Sequence, residues 1–125
     1  MTLSVHVGYH LLLELAGCEA STLNDAEGMA AHISEAIERA GLTELKRVSH
    51  RFVPQGLTLV VLLAESHVAV HTWPERGVAA VDLFTCAERE PAERALRHFA
   101  QALGARQVEL RCIERSARSL VSVAG

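Results

Sequence analysis

Residues 57–85, LTLVVLLAESHVAVHTWPERGVAAVDLFT, decide the fold. They hold three apolar runs, at 57–64, 67–73 and 78–85, separated only by "ES" and "PERG". Short runs rich in Val and Leu and bounded by turn residues are strands. Connections this short join only antiparallel neighbours, because a parallel crossover needs a dozen or more residues. The middle of the chain is therefore an antiparallel meander. One detail is unusual: strands tend to end in Gly, Asn, Asp or Pro, and the first of these ends in Glu65-Ser66-His67, with a second histidine, His71, five residues after the serine.

Outward from the meander, the period of the apolar residues changes twice. Residues 5–15, VHVGYHLLLEL, are apolar and partly alternating, which predicts a strand. Over 25–40, Met29, Ile33 and Ile37 recur every fourth residue, Asn24 stands as a cap with Glu27 three residues on, and Gly41 follows the end. That is an amphipathic helix with one buried face. A strand at 45–53 precedes "PQG", a second helix begins near Pro91 and stops at Gly104, and a last strand covers 106–114. The second helix carries Ala92, Ala95, Leu96, Phe99 and Leu103 on one side. The order predicts an α+β two-layer sandwich, a mostly antiparallel sheet with two helices on one face. The tail SARSLVSVAG, residues 116–125, is small and polar enough to be expected poorly ordered.

With 125 residues and 50% hydrophobic content, the chain suits one core and one domain, 1–125. Its formal charge of −3, from 12 basic and 15 acidic residues interspersed, offers no basic patch, and aromatic residues are scarce, so nucleic acid is not an expected partner. No run approaches the roughly 20 apolar residues of a membrane span, and no signal peptide is evident, so the expected location is cytoplasmic. Cys18, Cys86 and Cys112 are odd in number and lack a C-x-x-C pair, which argues against a disulfide framework or a zinc site. The seven histidines are scattered, and no metal is expected.

Alone, Ser66 reads as a turn residue and His71 as a satisfied histidine on a half-buried strand. Residues five apart in a regular strand face opposite sides, so the two converge only if the chain turns between them, and the "ES" junction is where such a turn would fall. A conventional serine hydrolase fits poorly, since there is no G-x-S-x-G elbow and no acid spaced as a triad orienter. Self-attack fits better. The Ser66 hydroxyl can attack the carbonyl of Glu65 through a five-membered ring, turning the amide into an ester. Removal of the Ser66 α-hydrogen then eliminates the ester, and hydrolysis with loss of ammonia leaves an N-terminal pyruvoyl group.

The segments GYHLLLELAGC, FVPQG, LLAESH, HTWPE and AAVDLFTC together resemble the small bacterial and archaeal type of S-adenosylmethionine decarboxylase proenzyme, over about residues 8–115. The pattern E-S-H-x-x-x-H-T-W-P-E is the most specific part. The resemblance implies cleavage between Glu65 and Ser66 into a beta chain, 1–65, and an alpha chain, 66–125, with Ser66 becoming the covalent pyruvoyl cofactor. It implies that His71 supports processing, that Cys86 is the proton donor in decarboxylation, and that the pyruvoyl ketone forms a Schiff base with the substrate amine while the adjacent amide carbonyl accepts the electron pair left by carbon dioxide. It also implies that Phe52 stacks on adenine, Glu75 binds the ribose hydroxyls and Trp73 walls the pocket. Cys18 and Cys112 keep the reading of small buried residues. Family members of this kind act as dimers of processed protomers, with the active site near the subunit interface, and supply the aminopropyl donor for spermidine.

The chain departs from the family pattern at three places. The usual P-x-G-V-S-G is PQGLTL, so Thr58 stands where a serine assists processing and Leu59 replaces a glycine, in or beside the pocket. W-P-E-Y-G-Y becomes WPERGV, and C-G becomes Cys86-Ala87. These changes leave two alternatives open: the same pyruvoyl chemistry on arginine or ornithine, or an uncleaved homologue that only binds.

Overall fold

The computed structural model describes the backbone from Ser4 to Arg118. In chain order the elements are β1 (Ser4–Ala16), α1 (Ala20–Leu23), α2 (Ala26–Arg39), β2 (Glu44–Arg51), β3 (Leu57–Leu63), β4 (Ser66–Trp73), a 3-10 turn (Pro74–Arg76), β5 (Val78–Thr85), α3 (Arg89–Ala102) and β6 (Gln107–Arg118). The strands form one six-stranded sheet in the order β2-β3-β4-β5-β1-β6, every neighbouring pair antiparallel. The meander runs unbroken from β2 to β5, and β1 fills the place between β5 and β6.

The two long helices lie side by side on one face. Alternation along the strands sends Leu11, Leu13 and Leu15, Leu59 and Val61, Val68 and Val70, and Val81 and Leu83 toward them, all buried. The helices return Met29, Ile33 and Ile37 from α2 and Ala92, Leu96 and Phe99 from α3, also buried. Each large side chain removed from water in this way contributes about 1.5–3 kcal/mol. The α+β sandwich read from the sequence is therefore the observed one.

Among the described residues, no helix lies on the opposite sheet face. Val60 and Leu62 of β3 and Val48 of β2 lie there, with Leu62 50% and Val48 66% exposed. His10, His67, His71, Asp82 and Phe84 stand on the same face, by their strand register.

Four details differ from the sequence reading. The cap of α2 is Asp25, whose side chain accepts from the Gly28 N–H at 3.0 Å, because Asn24 is occupied as the C-cap of the single-turn α1. That turn is too short to show a helical period. α3 begins at Arg89, two residues ahead of Pro91, which falls in the first turn where its missing N–H costs nothing. The last strand continues past 114, so Ser116 to Arg118 of the expected loose tail are paired with β1. The remainder of that tail lies outside the described residues.

Candidate active site

The site residues fall at the two ends of β4. At its start, a tight turn at Ala64 and Glu65 delivers Ser66 into register with Thr85 of β5. The Glu65 side chain is tied back, its Oε1 accepting from the Thr43 N–H at 3.1 Å. The Glu65 carbonyl accepts from the Cys86 N–H at 3.0 Å, which places the exposed Cys86 against the Glu65-Ser66 bond. Ser66 has φ 154°, and it is the only non-glycine with positive φ among the described residues. Such a conformation costs of order 1–3 kcal/mol and persists only where the surroundings enforce it.

Gly8 lies near the same end of β4, at the bulge where β1 shifts register against β6. A Cβ there would stand 2.5 Å from the Thr85 carbonyl oxygen and 2.9 Å from the Phe84 ring, so only glycine lets β1 close on the residues beside Ser66. Around the same end, the rings of His67 and Phe84 lie 6.4 Å apart and nearly parallel, and the Arg115 guanidinium sits 6.0 Å from the Phe84 centroid. The Ser66 hydroxyl and His67 Nδ1 are 3.4 Å apart.

At the far end of β4, His71 Nδ1 is hydrogen-bonded to Thr58 Oγ1 at 3.2 Å, across the β3–β4 pair. Both line a cleft of about 260 Å³ together with Phe52, Trp73 and Glu75, so five of the residues singled out in the sequence share one concavity. Its aromatic walls are open, Phe52 being 47% and Trp73 43% exposed. Buried polar ties hold its rim. Thr72 Oγ1 accepts from the Leu57 N–H at 2.9 Å and donates to the Leu23 carbonyl at 3.0 Å. Asn24 Oδ1 accepts from the Gly56 N–H at 3.0 Å, fixing the turn that carries Phe52. Asn24 and Thr72 thus shape the cleft, a role the sequence did not reveal because both contacts cross from α1 to distant strands.

The sequence expectation that the chain turns between Ser66 and His71 is corrected here. The turn precedes Ser66, and β4 pairs without interruption with both neighbours from Ser66 to His71. Five residues of strand separate the two by about 17 Å. Leu59 is also corrected: it is 2% exposed on the helix side, beside Ala26 and Ala30, and so takes no part in the cleft. Arg76 is exposed in the 3-10 turn. Burial pushes the thiols of Cys18 and Cys112 up, with Arg89 opposing the rise at Cys112, so neither is poised for chemistry.

Comparison with known proteins puts this antiparallel sheet, with its strained serine at one strand end and aromatic cleft at the other, among the decarboxylases, a class of lyases. Residues 9–116 match the family model described as S-adenosylmethionine decarboxylase. The chain is 44% identical, over 94% of both chains, to the S-adenosylmethionine decarboxylase proenzyme of Prochlorococcus marinus strain MIT 9313. It is 39% identical to that of the archaeon Methanococcus maripaludis strain S2, covering 87% of this chain and 89% of the relative. Its fold matches the crystal structure of the adenosylmethionine decarboxylase from Aquifex aeolicus VF5 with a TM-score of 0.83 at 33% identity, over 97% of this chain and 98% of that one. This chain belongs to the S-adenosylmethionine decarboxylase family.

Proposed function

We propose that the chain is made as a proenzyme, cuts its own backbone between Glu65 and Ser66 into 1–65 and 66–125, and then decarboxylates S-adenosylmethionine. The observation that carries this reading is the environment of the Glu65 carbonyl. It is the electrophile that Ser66 would attack, and the Cys86 N–H already donates to it at 3.0 Å. A fixed donor on that oxygen stabilises the charge it gains when the hydroxyl adds. The positive φ of Ser66 acts in the same direction, because changing the amide to an ester relieves strain that the intact chain must hold.

The residues here suit the pyruvoyl group that this cleavage generates. It would stand at the start of β4, with the exposed Cys86 next to it. Once joined to the substrate amine, the group would supply the electron sink that decarboxylation of an α-amino acid requires, through its adjacent amide carbonyl. The Cys86 thiol donates a proton to the substrate α-carbon once carbon dioxide has left. In the cleft, Phe52 and Trp73 offer faces to adenine and the sulfonium cation, and Glu75 accepts from the ribose hydroxyls.

These parts meet only in a dimer. Within one chain His71 and the cleft lie about 17 Å along the strand from Ser66. The cleft alone, about 260 Å³, is also below the roughly 300–1,000 Å³ of small-molecule sites. A second copy laid antiparallel against the uncovered face would set His71 of the partner subunit beside Ser66 and close the cleft over it. The apolar residues exposed on that face, Val48, Val60 and Leu62, suit burial between two sheets.

S-adenosylmethionine is favoured over arginine or ornithine because Glu75 is the one carboxylate lining the cleft, flanked by aromatic rings in place of a paired acid site for a basic side chain. Carbon dioxide release from each of the three, by purified protein, tests the reading. Release from S-adenosylmethionine alone is expected. Release from arginine or ornithine, with S-adenosylmethionine inert, would overturn the substrate.

A further inference from the structure

His50 stands on the uncovered face at the end of β2, in register with Thr58, which is itself in register with His71. Its ring lies 4.6 Å from that of Phe52, at 74°, an edge-to-face contact. Among the described residues it makes no hydrogen bond or ion pair, so this contact is its one specific partner. Phe52 lies just beyond the strand, its N–H donating to the Gly56 carbonyl at 2.9 Å, which fixes its backbone and leaves the half-exposed ring free to turn about its own bonds.

We infer that His50 is a positioning residue for substrate: its imidazole holds the Phe52 ring edgewise, so that one flat face is presented to the cleft before the adenine arrives. The inference rests on the reading of Phe52 as the adenine-stacking residue. An aromatic pair of this geometry is worth a modest amount beyond simple burial. Loss of that pair corresponds to a rise of about threefold to tenfold in KM, with kcat unchanged, because adenine is not the part of the substrate that reacts.

The test is a double-mutant cycle on processed enzyme, with self-cleavage and thermal melting checked for each variant. H50A and H50Q are expected to cleave fully, melt near the wild type and show the raised KM for S-adenosylmethionine. H50F, which keeps a ring at that position, restores KM. In an F52A background, H50A should add nothing. An H50A effect of equal size with and without Phe52, no rescue by H50F, an uncleaved H50A chain, or an unchanged KM in H50A while F52A raises it, would each overturn the inference. An unchanged KM in F52A would instead remove the adenine-stacking reading on which it stands, and the inference with it.

Discussion

In the proposed mechanism Ser66 and Cys86 take separate tasks at the Glu65 carbonyl, which accepts the Cys86 N–H. In the proposed reaction Ser66 is consumed in making the cofactor, so S66A should remain a single chain by denaturing electrophoresis. Cys86 contributes its backbone N–H to the Glu65 carbonyl, which substitution of the side chain leaves in place. C86A is therefore expected to cleave, and then to lose about 10²- to 10⁴-fold in kcat, the range for a missing acid. A C86A chain that decarboxylates at the wild-type rate would remove the thiol from the mechanism. Thr58 retains a hydroxyl at 3.2 Å from His71, with a χ1 that its branched Cβ restricts. T58S should cleave at least as fast as the wild type, followed as the half-time of the uncut chain.

Among the elements, β1 packs against the proposed cleavage site through Gly8, beside Thr85 and Phe84. G8A would drive a methyl group into the Thr85 carbonyl and Phe84, and would strain a backbone at φ 155°. The expected outcome is slower self-cleavage with a lowered melting temperature, while the spectrum of the sheet is retained. The reasons for what the sequence disclosed also lie at this scale. The strands and both long helices were legible because each repeats a burial period over seven or more residues, as in Leu11, Leu13 and Leu15 or Met29, Ile33 and Ile37. The turn α1 repeats nothing, and its function lies in Asn24 and Leu23 meeting residues more than thirty positions away. The candidate site residues were singled out by motif, whereas their separation along β4 was not legible: motif spacing counts residues and does not say on which side of Ser66 the chain bends.

For the whole molecule, an uncovered sheet face and a divided site call for the same remedy. If His71 of the partner subunit serves Ser66, two defective chains can repair one another. Expressed alone, S66A and H71A should both stay uncut. Expressed together, the H71A chain should be cut, because its intact Ser66 meets the histidine of an S66A partner. An H71A chain that stays whole in mixed dimers would place the histidine's action within one protomer. The central claim, that the protein turns Ser66 into its own cofactor, is tested most directly by the intact mass of the purified protein under denaturing conditions. Two chains divided between Glu65 and Ser66, the second beginning in a ketone instead of an amine, are predicted. A single chain that persists on long incubation would contradict it.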